Sequence, residues 1–219
     1  MEFTIDALLF DMDGVLVDSS AAVERHWRAF ALRHQLDPES ILSGIHGRRS
    51  SEIIREHVPA ADQCAELAWM ESLEVKDAAD LSVLPGAQVL MKAIAPSSWA
   101  VVTSGARAIA EARLASADLT PPKVLVTSDD VRRGKPDPSC YLQAAERLGV
   151  SPQNCLVFED APAGLAAARA AEMITIGLLT THGKLEMSAA DAIIADLSHV
   201  TLRERSSPVT LELNTLQDR

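Results

Sequence analysis

The sequence is poor in cysteine, in aromatic residues and in basic residues. Its 219 residues include three cysteines, 4% aromatic residues, and 20 Lys and Arg against 31 Asp and Glu, so the formal net charge is −11. Cys64, Cys140 and Cys155 are widely spaced and form neither a metal motif nor a disulfide framework, which favours a reducing, cytoplasmic setting. Broad nucleic-acid binding needs a basic surface, so we expect no nucleic-acid partner.

Long apolar runs are also missing. No window approaches the roughly 18 uninterrupted apolar residues that a membrane span requires, so we expect no membrane association. The N-terminus lacks a basic segment followed by a long apolar run, and we expect no signal peptide. Apolar residues still make up 47% of the chain, enough for a substantial core. The length fits one large domain or a domain with an insert, and the small, acidic chain leads us to expect a monomer.

The most informative stretch is residues 10–19, FDMDGVLVDS. Residues 4–9 before it predict a short strand with an almost continuous apolar end, as in a parallel strand buried on both faces. Asp11 then lies at the carboxyl end of a strand, where open α/β sheets form their reactive crevice. Asp11 and Asp13 suit a core poorly, because close carboxylates raise each other's pKa unless a cation neutralises them. Mg²⁺ prefers such oxygen ligands; the alternative is an ordinary turn ending at Gly14.

Residues 101–105, VVTSG, predict a phosphate-binding turn. A buried strand ends at the Thr103 hydroxyl, and the backbone amides near Ser104 and Gly105 can point at an anion. A helix follows directly and adds its positive end. Taken alone, the same residues are also typical of an ordinary helix cap and turn.

Two later stretches supply a cation and two acids. Residues 133–138, RGKPDP, hold Lys135 in a loop stiffened by prolines, where it can point inward as a fixed cation. Residues 156–164, LVFEDAPAG, deliver Glu159 and Asp160 from the end of an apolar strand, with a helix beyond. A helix N-terminus favours an acidic residue, which explains Glu159 alone but not the pair.

These four stretches, in this order, resemble the signatures of the haloacid dehalogenase-like (HAD) hydrolase superfamily. The resemblance runs from about residue 5 to about residue 194. It is strongest with the 2-deoxyglucose-6-phosphate, glycerol-3-phosphate and hexitol phosphatase group of sugar phosphatases, with the β-phosphoglucomutases as further relatives. It implies a Mg²⁺-dependent phosphohydrolase that acts on a small phosphate ester.

The resemblance also implies roles for single residues. Asp11 is the expected nucleophile, which forms an aspartyl-phosphate, and a metal ligand. Asp13 is the expected general acid and base, and its backbone carbonyl binds the metal. Lys135 is expected to neutralise charge on the nucleophile and on the phosphoryl group. Asp160 completes the Mg²⁺ ligands, and Glu159 binds the metal directly or through water.

The chain order predicts an α/β fold: a doubly wound, Rossmann-like parallel sheet with an inserted helical cap. We assign residues 1–16 and 85–219 to the core and residues 17–84 to the cap. Core strands are expected at 99–103, 123–127, 154–158, 173–178 and 191–194, and helices at 86–95, 106–117, 138–148 and 161–171. The tail, 200–202 and 209–213, predicts a β-hairpin added at an edge.

The cap loop 44–50, GIHGRRS, is expected to contribute to substrate choice. His46 and Arg48 are the candidate contacts for sugar hydroxyls or a second anion, and we prefer Arg48 to Arg49. The alternative is a helix-linking turn with solvated arginines. Because the two linkers can hinge, we expect the cap to close over the substrate.

Three functions remain open at this stage. The first is a phosphatase of small sugar or polyol phosphates. The second is a β-phosphoglucomutase-type mutase, which has the same cap position and the same four stretches. The third is a non-catalytic binding protein on this fold; four intact groups argue against it, namely Asp11, Asp13, Lys135 and Asp160.

Overall fold

The computed structural model describes residues 1–77, 81–119 and 121–215. In chain order the strands are β1 (Glu2–Ile5), β2 (Ala7–Phe10), β3 (Val17–Asp18), β4 (Ser82–Val83), β5 (Trp99–Val102), β6 (Val124–Val126), β7 (Cys155–Glu159), β8 (Ile174–Leu178), β9 (Ala192–Ile194), β10 (Val200–Glu204) and β11 (Val209–Leu213). The helices are α1 (Ser20–Arg33), α2 (Pro38–Leu42), α3 (Ser50–His57), α4 (Gln63–Asp77), α5 (Ala87–Ala93), α6 (Arg107–Ser116), α7 (Ser139–Leu148) and α8 (Pro162–Ala170).

A parallel sheet in the order β6-β5-β2-β7-β8-β9 forms the centre of the core. β2, β5 and β7 are buried along their whole length, as their nearly continuous apolar sequences predict. Residues of α5 and α6 pack on one face of the sheet, and residues of α7 and α8 pack on the other. The predicted doubly wound α/β fold is therefore confirmed, and each predicted core strand and helix is present within two residues at each end.

The cap helices α1 to α4 have an apolar cluster of their own. Its buried members are Trp27, Phe30, Ala31, Ile41, Ile45, Ile53, Ile54, Val58 and Met70. The two linkers pair with each other as β3 and β4, with Val17 opposite Val83 and Asp18 opposite Ser82. Both observations agree with the predicted division at about residues 17 and 84, which stays a prediction.

The first predicted strand is in fact two strands, so the single strand at residues 4–9 was wrong. The strand is interrupted at Asp6, whose carboxylate accepts hydrogen bonds from Asn154 Nδ2 at 2.8 Å and from Ser207 Oγ at 3.0 Å. Only β2 enters the central sheet; β1 pairs antiparallel with β11.

The predicted tail hairpin is present as β10 and β11, but it is not an addition to the edge of the central sheet. It joins β1 in a separate three-stranded sheet in the order β1-β11-β10. The physical reason is the alternation in β11, which buries Val209, Leu211 and Leu213 against the same core that β2 enters. Across the described ranges, no helix combines the length and apolar character needed to cross a bilayer.

Candidate active site

Three side chains reach one edge of the central sheet from neighbouring strands. Asp11 follows β2, Thr103 follows β5 and Asp160 follows β7. Both outer strands pair in parallel with β2, so the three carboxyl ends meet at the point where the strand order reverses. All three side chains line one cavity under the cap, together with Asp13, Gly14, Ser19, Ser20, Val23, Trp27, Ile45, His46, Gly47, Arg48, Ser50, Glu74, Ser104, Gly105, Arg113 and Thr181.

Lys135 joins Asp11 to Glu159. Its Nζ lies 2.5 Å from Asp11 Oδ1 and 2.5 Å from Glu159 Oε1, and it also donates to the Val102 carbonyl at 3.3 Å. Only 1% of the lysine side chain is exposed. Burial by itself lowers the pKa of Lys135, but the two carboxylates together raise it well above its usual range, so the amine stays charged. The predicted cation therefore touches the predicted nucleophile.

Glu159 is fully buried, and four groups of the described residues donate hydrogen bonds to its carboxylate. Oε1 accepts from Lys135 Nζ and from the Tyr141 hydroxyl at 2.6 Å. Oε2 accepts from the backbone amides of Asp160 at 3.1 Å and Ala161 at 3.3 Å. The structure thus ties Glu159 to the lysine, and its predicted contact with a metal stays a prediction.

Two glycines leave room for the acidic groups. Gly14 has φ +80°, and a Cβ there would overlap the carboxylate of Asp160. A Cβ at Gly164 would overlap the carboxylate of Glu159. A side chain at either position would displace an acid of the site, which explains why glycine follows the acids in the first and fourth stretches.

Asp11, Glu159 and Asp160 form a buried acidic cluster that fits a hard cation. One ligand oxygen from each lies within 4.8 Å of the others. Burial raises the pKa of Asp160 to about 7, and Glu159 contributes to the rise. Burial also raises the pKa of Asp11 well above its usual range, although Lys135 opposes the rise. One ammonium therefore leaves an excess of negative charge, and the oxygen donor set is the one Mg²⁺ prefers.

Asp13 is held by Arg113, which sequence reasoning did not single out. Arg113 Nη1 in α6 donates to Asp13 Oδ1 at 2.6 Å, and its Nη2 lies 4.0 Å from Glu74 Oε2 in cap helix α4. The side chains of Arg113 and Glu74 are 5% and 8% exposed. Burial raises the pKa of Glu74 to about 7, although Arg113 lowers it. The predicted acid and base therefore lies at one end of a chain of charges that reaches into the cap.

The predicted phosphate-binding turn lies beside Asp11 and lines the cavity. Thr103 Oγ1 accepts from the backbone amide of Gly105 at 3.1 Å. The Ser104 hydroxyl donates to the carbonyl of Gly47 in the cap loop at 2.9 Å. The turn therefore contacts the cap and lines the same cavity as Asp11, and its contact with phosphate stays a prediction.

The two arginines of the cap loop have different partners. Arg48 lines the cavity and pairs with Glu56 of α3. His46 also lines the cavity, and its ring meets that of His182 edge-on, with centroids 5.3 Å apart. Arg49 is buried and instead binds the core loop at residues 128–132. Its guanidinium donates hydrogen bonds to three backbone carbonyls there: Ser128 at 3.0 Å, Val131 at 2.7 Å and Arg132 at 3.3 Å.

Sequence reasoning missed Tyr141, Arg113 and Glu74. Arg113 shares the buried side of α6 with Ile109, Ala110 and Leu114, and Glu74 lies one turn after the buried Met70 in α4. A charged residue at an inward position of an apolar helix face is the signal that could have found both, since such a group is rarely buried without a partner. Tyr141 carried no comparable signal.

Comparisons with known proteins agree with this geometry. A model of the haloacid dehalogenase-like hydrolase family matches residues 5–172. The chain is 39% identical over 202 residues to hexitol phosphatase A of Escherichia coli, and the alignment covers 90% of this chain and 94% of that protein. It is 31% identical over 240 residues to 2-deoxyglucose-6-phosphate phosphatase 2 of Saccharomyces cerevisiae, with 97% of each covered.

A crystal structure of β-phosphoglucomutase from Clostridium difficile superimposes with a TM-score of 0.79 at 20% identity. It covers 89% of this chain and 92% of that one, and at this identity it shows the fold alone. The predicted enzyme class, a phosphoric monoester hydrolase, is that of both relatives named above. The family model, the relatives and the four sequence stretches in their order along the chain agree, and the chain belongs to the haloacid dehalogenase-like hydrolase family.

Proposed function

We propose that this protein is a Mg²⁺-dependent phosphatase that hydrolyses monophosphate esters of small sugars or polyols through an aspartyl-phosphate intermediate. The observation that carries the proposal is the 2.5 Å contact between Lys135 Nζ and Asp11 Oδ1 at the carboxyl end of β2. Two curated relatives support the substrate class, since one is named for hexitols and the other for 2-deoxyglucose 6-phosphate.

In the first step Asp11 attacks phosphorus. A bond forms between its carboxylate oxygen and phosphorus while the bond from phosphorus to the leaving alcohol breaks. Asp13, whose Oδ1 accepts a hydrogen bond from Arg113, enters this step with a proton on its other carboxyl oxygen and gives that proton to the leaving oxygen. The Thr103 hydroxyl, the amides of the turn that follows it and the Lys135 ammonium stabilise negative charge on the phosphoryl oxygens.

In the second step water attacks the aspartyl-phosphate. Asp13, now ionised, takes a proton from the water as its oxygen bonds to phosphorus. The bond between phosphorus and Asp11 breaks, which restores the carboxylate and releases inorganic phosphate. Closure of the cap excludes bulk water during the first step. The contacts of Ser104 with Gly47 and of Arg49 with the core loop support this closed arrangement.

The carboxylates of Asp11 and Asp160 and the backbone carbonyl of Asp13 would hold Mg²⁺, which supplies positive charge next to the reacting oxygens when bound. Both oxygens of Glu159 already accept hydrogen bonds from protein donors. We therefore propose that Glu159 reaches the metal through water, and that it positions Lys135.

The decisive experiment measures inorganic phosphate released from a panel of sugar and polyol monophosphates with Mg²⁺, using Asp11→Asn as the background control. A parallel assay follows conversion of β-glucose 1-phosphate to the 6-phosphate. We expect phosphate release without isomerisation. Isomerisation with little phosphate release would favour the mutase, and equal values for wild type and Asp11→Asn in both assays would favour a binding protein.

The geometry favours the phosphatase over the mutase. A mutase must bind its substrate at both ends, and a second phosphate needs a cation. Among the described residues that line the cavity, both arginines already have a carboxylate partner: Arg48 pairs with Glu56, and Arg113 pairs with Asp13. Neither arginine is therefore left to bind a second phosphate. A monomeric state, the absence of a nucleic-acid partner and a cytoplasmic setting stay predictions.

A further inference from the structure

Glu74 puts a carboxylate from the cap into the catalytic cavity, where the proposed chemistry does not need one. It lines the same cavity as Asp13 and Asp11, although the residue is only 7% exposed. Among the residues that the structure describes, its ion-pair partner is Arg113, whose Nη2 lies 4.0 Å away, beyond hydrogen-bond distance. A buried carboxylate without close donors is costly. The group is therefore suited to accept hydrogen bonds from a molecule that fills the cavity.

The other charges of the cavity point to the kind of donor. Arg113 is already bonded to Asp13 at 2.6 Å, and Arg48 is paired with Glu56. The described lining thus leaves no arginine for a second anionic group, and Glu74 itself would repel a carboxylate or a second phosphate. Alcohol hydroxyls are uncharged donors and satisfy the carboxylate without a new cation.

We propose that Glu74 is a specificity-determining residue that accepts hydrogen bonds from hydroxyl groups on the alcohol part of the substrate. Arg113 keeps its 2.6 Å hydrogen bond to Asp13 through Nη1, whereas its Nη2 only faces the Glu74 carboxylate at 4.0 Å. The proposal rests on the proposed phosphatase function. It narrows the substrate to monoesters of alcohols that carry further hydroxyls and no second anion, because a site built to bond a hydroxyl discriminates strongly against analogues that lack it.

The test compares two esters whose alcohols differ only in their hydroxyls, glycerol 1-phosphate and propyl phosphate. Glu74→Gln keeps the shape of the side chain and removes its charge. We expect kcat/KM for glycerol 1-phosphate to fall by at least about tenfold, mainly through KM, while kcat/KM for propyl phosphate changes by less than about twofold. The matched control is Glu71→Gln, one turn earlier on α4 and outside the lining of this cavity, which should leave both values unchanged.

An equal loss with both esters would show a structural role and overturn the proposal, and so would the absence of any loss. If Glu74→Gln does not fold, as judged from its melting curve, Glu74→Asp serves instead. That variant keeps the charge beside Arg113 but draws it back by one methylene, and the same selective loss is expected. Wild-type protein that releases phosphate from no ester in the panel would refute the phosphatase itself, whereas active wild type with an unselective Glu74→Gln variant refutes only the role of Glu74.

Discussion

Lys135 Nζ contacts Asp11 Oδ1 at 2.5 Å, although the two residues are 124 positions apart in the chain. The same ammonium contacts Glu159 Oε1 at the same distance, so one buried cation is shared by two buried acids. Asp160 adds a third acid to the cluster. The protein alone therefore leaves net negative charge where a phosphate ester must bind, and an added cation resolves this conflict.

Asp11→Asn should abolish turnover. The amide is a poor nucleophile and a poor metal ligand, so phosphate release is expected to fall by at least about a hundredfold. The control is Asp18→Asn, since Asp18 lies seven residues later and accepts a hydrogen bond from the Ser20 amide, a role that Asn fills as well. Residual activity of Asp11→Asn above about a hundredth of wild type would rule out the nucleophile.

Mg²⁺ should bind at Asp160. EDTA is expected to abolish phosphatase activity, and added Mg²⁺ is expected to restore it. Saturating Mg²⁺ should also raise the melting temperature of wild type, because an ion at about 100 times its Kd stabilises the folded state by about 2.7 kcal/mol. Asp160→Asn should lose this thermal shift, whereas Asp62→Asn, an exposed acid of the cap, should retain it. If Mg²⁺ raised the melting temperature of Asp160→Asn as much as that of wild type, Asp160 would not be a metal ligand.

Tyr141→Phe should lower the stability of the protein but have little effect on its kcat. The hydroxyl donates to the buried Glu159 carboxylate at 2.6 Å, and a hydrogen bond to a charged group is worth about 1.5–3 kcal/mol. We expect that loss in the free energy of urea unfolding, with kcat within about fivefold of wild type because Lys135 still neutralises the acid. Glu146→Gln, on the exposed side of α7, should change the free energy by less than about 0.5 kcal/mol. An unchanged unfolding curve for Tyr141→Phe would contradict the role assigned to its hydroxyl.

Arg49→Ala should loosen the contact between cap and core. Its guanidinium holds the carbonyls of Ser128, Val131 and Arg132, so its loss should favour the open cap and lower kcat/KM by at least about tenfold. Limited proteolysis should also cut the linkers faster. Arg55→Ala serves as the control, since Arg55 is an exposed arginine of the adjoining α3. Unaltered kinetics and proteolysis would mean that Arg49 does not hold the cap closed.

Asp130 should contribute to stability only above strongly acidic pH. Burial acts to raise the pKa of Asp130, but hydrogen bonds from Arg147 and Thr127 outweigh burial and lower it to about 2, with help from Arg107. A carboxyl whose pKa is lower in the folded state stabilises the protein above its unfolded value of 3.8 and loses that effect as the pH falls towards 2. Solvent screening limits the gain to about 1 kcal/mol.

The measurement compares unfolding free energies of wild type and Asp130→Asn at about pH 6 and about pH 2.5. Wild type should be more stable than the variant at the higher pH, and the difference should shrink at the lower one. A constant difference would show that the carboxylate charge of Asp130 is not involved.

Much of the site could be predicted because three of the four stretches lie at the ends of apolar strands. Asp11, Thr103 and Asp160 follow strands that the sequence identifies by their apolar runs, and parallel strands end at the same edge. The predicted strand at residues 4–9 was wrong because Asp6 has partners 148 and 201 positions away, and no local pattern reports such distances.

The partners of the site residues could not be predicted in the same way. Arg48 and Arg49 are neighbours in one loop with the same chemistry, yet one pairs within the cap and the other holds the core. The choice depends on how the cap packs on the core loop, which involves segments about 80 residues apart. The same holds for Arg113, whose position on an apolar helix face signals a buried charge but not its partners.

By itself, the sequence determined the alternation of strands and helices, the strand ends that carry the acids and the hydroxyl, the proline-flanked loop that carries the lysine, and the helical insert. These features depend on residues close together in the chain. The tertiary structure alone decided that Lys135 is shared by Asp11 and Glu159, and that Asp13 is linked through Arg113 to Glu74. The reason is that a buried charge takes its partner from whichever distant segment packs against it, and that packing is a property of the whole folded chain.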